Sequence, residues 1–326
     1  LSPSSAASDV YKRQVMFFFS RFELDRWIRM YRDSSGVSDE LRGWNWSSDL
    51  LSPIIDNLYL SVSEVANRYC ETYRDIYLKR VLKKPAPVSF KTVRGWVYHR
   101  ISSDTLTLVK SYLYNSGFVP GYKLYNDLAR RGRRFINRVM RSLNVSKYVS
   151  DEEFKKLYND SKTLYKYLIL QAASYNDQVL SREAVASIDS LVNKVVPSVV
   201  ERVIDGSPLG LSKQLRIDMF LDNNIVIDIK TGDYRDFHKY TLAGYALAVE
   251  ADLNKPVDYG IITYLHIQGD FVKVRNDFYL IDDTLRREFI ELRDHAMDII
   301  HLSRDPGRPT RCPSYCIYYN VCNPLG

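Results

Sequence analysis

The sequence predicts an α/β fold, a mixed sheet flanked by helices. Three observations predict it: residues 16–196 read almost throughout as helix, five strand-like runs crowd between residues 199 and 277, and helical patterns interrupt and then follow those runs. At 326 residues and 45% hydrophobic content the chain can bury a large core, so one main domain with additions is expected.

The elements follow in chain order. Residues 1–15, LSPSSAASDVYKRQV, resemble a translated sequencing adaptor and match nothing after them, so Met16 is read as the native start. From Met16 to Lys84 the pattern is helical, with a turn-rich stretch between Ser34 and Pro53. Ser61 and Glu64 have capping-box spacing, and Val62, Val65, Ala66, Tyr69, Tyr73 and Ile76 then recur at helical intervals, which places Cys70 on a helix near its buried face. Pro85 and Pro87 break the pattern, and Thr92 to Tyr114 reads as the next helix, carrying Gly95 and His99. The stretch 120–196 is helical, tyrosine-rich and free of strand signals, an inserted subdomain that separates His99 from the acidic residues below. Strands are expected at Val199–Ile204, Gln214–Leu221 and Ile225–Lys230, with Asp222, Asn223 and Asn224 turning a hairpin between the last two. A helix over Phe237–Glu250, strands over Asp258–Ile267 and Phe271–Asp277, a helix over Asp283–Leu302 and a proline-punctuated tail, 303–326, complete the chain.

Composition narrows the function. A net charge of +7 and a pI near 9.0 favour a polyanionic partner. Four cysteines are too few to staple a secreted chain of this length, and three of them fall in the last fifteen residues, which points to a reducing compartment and a metal or cluster site. No run approaches the roughly 18 apolar residues of a membrane span, so a soluble protein is expected.

The informative segment runs from Arg216 to Gly232. Alternate side chains of a strand share a face, so Asp228 and Lys230 project together while Ile227 and Ile229 enter the core. Pairing with the neighbouring strand brings Asp218 to the same end of the hairpin. Carboxylates converging there suit a hard divalent ion, Mg²⁺ or Mn²⁺, which binds a phosphate oxygen and acidifies a water. Lys230 would orient or deprotonate that water, or stabilise charge on phosphorus. This is the chemistry of phosphodiester hydrolysis; a cross-strand salt bridge on a solvated face is the structural alternative.

With these residues in place, the chain resembles the RecB-like branch of the PD-(D/E)xK nucleases, which share a restriction-endonuclease-like core. That branch carries G-x3-H on a helix, an Asp-ending strand, a (D/E)-x-K strand and a Q-x3-Y helix; here the order is Gly95 to His99, Asp218, Asp228 with Lys230, and Tyr245. The resemblance implies that His99, Asp218 and Asp228 are metal ligands, Lys230 the catalytic lysine and Tyr245 a support for site or substrate. Residues 85–302 would then form the nuclease domain, with the region 16–84 supplying Cys70. One departure is Thr241, which stands where the family has glutamine.

Cys312, Cys316 and Cys322 follow C-x3-C-x5-C, and Cys70 adds a distant fourth thiolate. Spacing suits zinc and a [4Fe-4S] cluster equally. The resemblance implies the cluster, because RecB-like members with one cysteine before the G-x3-H helix and three at the C-terminus are iron-sulfur proteins. Tyr315, Tyr318 and Tyr319 could wall it, and Pro313 and Pro324 keep the tail irregular. Within the branch the chain is most similar to the CRISPR-associated nuclease of spacer acquisition in its longer archaeal, type I-A form, through Arg42-Gly43-Trp44 and through Cys70 followed by Arg74, Asp75 and Tyr77. That likeness implies metal-dependent exonucleolytic cleavage of single-stranded DNA or single-stranded ends, trimming of spacer precursors, association with the CRISPR integrase and a cytoplasmic, prokaryotic setting. A non-catalytic DNA-binding scaffold of the adaptation complex is the alternative.

Arg131, Arg134, Arg138 and Arg141 recur every three or four residues and line one helix face that can track phosphates. A solvated face explains the same pattern.

Overall fold

The computed structural model describes residues 21–31, 36–182, 185–196, 198–221 and 223–323; the leader read at 1–15, Met16, Asp222 and Pro324 lie outside the described residues. Five strands, β1 (Ser198–Ile204), β2 (Leu215–Leu221), β3 (Ile225–Lys230), β4 (Tyr259–Gln268) and β5 (Phe271–Leu280), form one sheet in sequence order. β3 and β4 run parallel and the other neighbours antiparallel. This is the mixed, helix-flanked sheet the sequence predicts. The parallel pair requires a crossover, which the helix between the two strands provides.

Among the described residues the helices are α1 (Arg21–Tyr31), α2 (Val62–Ala66), α3 (Arg74–Ile76), α4 (Phe90–Ser116), α5 (Gly121–Ser142), α6 (Asp151–Arg182), α7 (Ile188–Val195), α8 (Lys239–Leu253), α9 (Asp283–Leu302) and α10 (Tyr319–Cys322). Local chemistry sets several ends. Ser61 and Glu64 form the expected capping box on α2. The Ser89 hydroxyl accepts from Thr92 N to start α4, and Gly117, at φ 72°, ends it. The Asp282 carboxylate starts α9 from Leu285 N at 2.9 Å.

The sheet is covered on both faces. On one face Ile225, Ile227 and Ile229 of β3 and Ile261 and Leu265 of β4 meet α4, α5, α6 and α7. On the other, Val226, Ile262 and Tyr264 meet α8, α9 and the segment around Leu41, Leu51 and Leu60. Asp228 and Lys230 share the face opposite Ile227 and Ile229, as expected, but that face is covered by the second layer rather than solvated: Asp228 is only 4% exposed, which removes the alternative of a salt bridge on a solvated face.

That second layer is pinned by Glu250 of α8, which is fully buried. Its carboxylate accepts from Arg286 at 2.7 and 2.9 Å, Arg42 at 2.8 Å, and the backbone N–H groups of Gly43 at 2.8 Å and Val257 at 3.0 Å. A buried carboxylate needs this saturation to stay charged. Gly43 is required there because any Cβ would overlap the Leu247 carbonyl of α8. The Arg42-Gly43-Trp44 segment thus docks the N-terminal region onto the sheet's helices.

A second correction concerns Cys70. The helix begun at Val62 stops at Ala66, Asn67 is extended (φ −82°, ψ 92°), and Cys70 lies in a bend before α3 rather than on a helix. Tyr73, in the left-handed region at φ 54°, restarts the chain as α3. The apolar periodicity was real as burial, since Val62, Val65, Ala66, Tyr73 and Ile76 are all buried, but two short turns share it.

Candidate active site

His99, Asp218, Asp228 with Lys230, and Tyr245 come from four elements, α4, β2, β3 and α8, and the first three elements are joined by direct contacts. His99, on α4, lies with Nδ1 3.1 Å from Asp218 Oδ1 on β2. The other Asp218 oxygen accepts the backbone N–H of Ile229 at 2.7 Å, so β3 itself orients the carboxylate. Asp228 and Lys230 flank Ile229, and Lys230 Nζ is 2.8 Å from Asp228 Oδ2. The buried Oδ2 makes this ion pair and no further hydrogen bond among the described residues.

Electrostatics bind these groups together. Burial alone would pull His99 below the usual imidazole range, but the charge and hydrogen bond of Asp218, with Asp228 behind it, raise it instead. Burial also opposes ionisation of Asp218, yet His99, the Ile229 N–H and Lys230 hold it low. Asp228 is pushed up, first by burial and then by Asp218 against the pull of Lys230. Burial disfavours the Lys230 ammonium, and the two aspartates more than compensate. Tyr245, on α8, is driven far above the ordinary phenol range by burial and by Asp228, Asp218 and Glu201, which places it in the same negative field.

The donor set is one imidazole nitrogen and carboxylate oxygens, the hard ligands that suit Mg²⁺ or Mn²⁺. The burial of Asp228 and the like charge of Asp218 beside it are the features a divalent cation relieves. As the side chains stand, among the described residues no three His, Cys, Asp or Glu groups are gathered closely enough to hold an ion.

Two neighbours escaped the sequence reading. Glu201 of β1, held at φ 52°, lines the same crevice as His99, Ser102, Ser103 and Asp218. Tyr69 senses the charges of Lys230, Arg235 and Asp228. It also meets Phe237 and Tyr315 edge-on, at 5.1 and 5.8 Å. A lone glutamate in a strand and one tyrosine among 25 carry no signal in one dimension. Thr241 is buried, and its hydroxyl has no hydrogen-bond partner among the described residues.

The cysteine-bearing tail reaches toward this site at Tyr315, which meets Tyr69. Cys70, Cys316 and Cys322 are buried, Cys312 is partly exposed, and none forms a disulfide. Burial pushes the Cys316 thiol up to about 11, with Asp75, Cys70 and Cys312 adding to the rise. Arg74 joins the tail to the body: Nε and Nη2 grip Asp305 at 2.8 and 2.7 Å, and Nη1 lies 3.3 Å from Cys322 Sγ. Tyr318 is buried and donates to the Lys84 carbonyl at 2.9 Å, whereas Tyr315 is exposed and stacks under Arg235 at 3.9 Å. Tyr318 and the partly buried Tyr319 pack with Cys316 and Cys322.

Arg131, Arg134, Arg138 and Arg141 are all exposed on α5, the first of them over the Tyr112 ring at 5.9 Å. No helix among the described residues is long and apolar enough to cross a membrane.

The sequence was compared with known proteins. A family model described as CRISPR-associated exonuclease Csa1 matches residues 16–325. The CRISPR-associated exonuclease Csa1 of Saccharolobus solfataricus is 33% identical over 297 residues, covering 91% of this chain and 96% of that protein. The protein of the same name from Thermoproteus tenax is 30% identical over 306 residues, 92% of this chain and 98% of the relative. With a family match over residues 16–325 and relatives of 30–33% identity along most of its length, the chain belongs to the CRISPR-associated exonuclease Csa1 family.

Proposed function

We propose that this chain is a divalent-metal-dependent DNA exonuclease of the PD-(D/E)xK type. The observation that carries the reading is the buried Lys230–Asp228 ion pair, one residue from the Ile229 N–H that orients Asp218 toward His99. His99, Asp218 and Asp228 would hold Mg²⁺ or Mn²⁺. The ion, when bound, supplies Lewis acidity toward a phosphate oxygen and an acidified water.

The protein's own groups do the rest. Asp218 is fixed by β3 and His99 by Asp218, so two ligands are oriented before any ligand arrives. Lys230 keeps its charge through the two aspartates and presents an ammonium to the scissile phosphate. Tyr245 keeps its proton and is a hydrogen-bond donor rather than a base. His238, pulled down to about 3 by burial, Lys230 and Arg235, stays neutral against the Tyr264 hydroxyl, 3.0 Å away.

Cys70, Cys312, Cys316 and Cys322 would hold a [4Fe-4S] cluster that fastens the tail over Tyr69. The substrate is DNA with single-stranded ends, and the biological task is trimming spacer precursors beside the CRISPR integrase, in the cytoplasm. The family's and relatives' name, CRISPR-associated exonuclease, supports a CRISPR-linked nuclease, and the finer task is part of the proposal.

The test is cleavage of 5′- and 3′-labelled single-stranded DNA with Mn²⁺ or Mg²⁺, comparing the wild type with Asp228→Ala and Lys230→Ala. Loss in both variants is expected, by at least about 100-fold. Equal cleavage by all three proteins, or DNA binding with no cleavage under either metal, overturns the reading.

A further inference from the structure

Two grooves on the helical layer meet at α6 and share Lys162 and Lys166. One runs along the α5–α6 seam and adds Arg133 and Lys155; the other lies between α6 and the β4–β5 hairpin and adds Lys156. These five cations are exposed, and none has a carboxylate partner among the described residues. Acidic groups facing them are few. Asp160 is buried and accepts from the Tyr98 hydroxyl at 3.0 Å, and Asp270 lies at the hairpin turn. Like charges left unneutralised around a concave surface hold a strong positive potential.

The groove also offers rings. Tyr158 lines the first part, Tyr125 the second, and Phe271 at the hairpin tip is 78% exposed. An apolar ring so exposed beside lysines matches a surface that takes both phosphates and unpaired bases. Lys155, Lys162 and Lys166 lie seven and four residues apart, on one face of α6. At about 1.5 Å per residue they span roughly 16 Å, room for several consecutive phosphates.

Its position relates it to the proposed active site. Lys230 pairs in register with Tyr264, and β4 continues in the same direction to Gln268, about 13 Å further at 3.3 Å per residue. The hairpin tip that lines the groove therefore extends from the sheet end that carries Lys230.

We infer that this lysine-lined, aromatic-rimmed groove binds the backbone of single-stranded DNA and leads it toward the sheet end bearing Asp228 and Lys230; the choice of DNA rests on the nuclease reading above. The full chain is titrated in EDTA against a fluorescein-labelled oligothymidine of about 20 nucleotides across a salt series, following anisotropy. Lys162→Glu/Lys166→Glu should bind at least about tenfold more weakly, with a salt slope shallower by about 1.4, two lost contacts at about 0.7 each. Lys162→Arg/Lys166→Arg should bind as the wild type does. Unchanged affinity and slope in the glutamate variant, with an unchanged melting temperature, overturns the groove. A loss confined to an oligouridine, with DNA binding intact, overturns the assignment to DNA. A wild type that grips DNA through these two lysines yet cuts none under Mn²⁺ supports the groove and removes the nuclease reading.

Discussion

The backbone N–H of Ile229 donates to Asp218 at 2.7 Å, so the strand that carries Asp228 and Lys230 also aims the carboxylate on its neighbour. A peptide group in a sheet has no rotamer freedom, and a carboxylate tied to it is oriented at little entropic cost. His99, held by the other oxygen of Asp218, inherits that order.

Asp218→Asn keeps the side chain's shape and removes its charge. Mn²⁺ affinity measured by titration calorimetry should fall at least about tenfold, and cleavage with it. Wild-type Mn²⁺ affinity in this variant would remove Asp218 from the ligand set.

Glu250→Gln should destabilise the fold by about 3–5 kcal/mol, because Arg286 is left buried against a neutral amide. Burial opposes the Glu250 charge, but Arg286 and the Gly43 and Val257 N–H groups hold its pKa below the usual range. A depressed folded-state pKa stabilises above the unfolded value, about 4.3 for glutamate, and that stability drains away as pH falls through the folded value. Acid unfolding of the wild type should therefore be steeper than that of the variant, as followed by circular dichroism between about pH 6 and 2. Parallel acid transitions would show that Glu250 is not the linked group.

Gly43→Ala forces a methyl group into the α8 backbone at Leu247. A loss of about 1–3 kcal/mol in urea unfolding is expected, typical of overpacking against atoms that cannot yield. Wild-type stability would mean that the Arg42–Trp44 turn shifts freely.

Cys316→Ser tests the tail. Anaerobically purified wild type should be brown, absorb broadly near about 400 nm and carry about four irons per chain, and the variant should lose both colour and iron. Stoichiometric zinc in a colourless wild type would assign the thiolates to that metal instead.

Much of the architecture is written locally. The Arg216–Lys230 hairpin is legible because alternation with period two and a polar turn are properties of neighbouring residues, and β2 and β3 form within a residue of the expected bounds. The helix expected at Asp283–Leu302 forms with those bounds, and in the structure the Asp282 side chain caps it. Cys70 shows the limit: the same apolar spacing fits one helix or two buried turns, and the left-handed Tyr73 that decides between them has no signature in composition. Glu201 and Tyr69 are invisible for a different reason, since what matters about each is its neighbour 17 and 161 positions away, Asp218 and Lys230.

By itself the sequence determined which chemistry is available: a histidine, two aspartates and a lysine in an order that suits a hard cation, and four thiols that suit a soft one. Only the tertiary structure decided that α4, β2 and β3 meet, that Asp228 is buried against Lys230, and that Tyr69 stands between the lysine and the cysteine tail. The reason is physical. Residue type and spacing fix what a segment prefers, while burial and electric field are sums over atoms that the chain brings together from far apart.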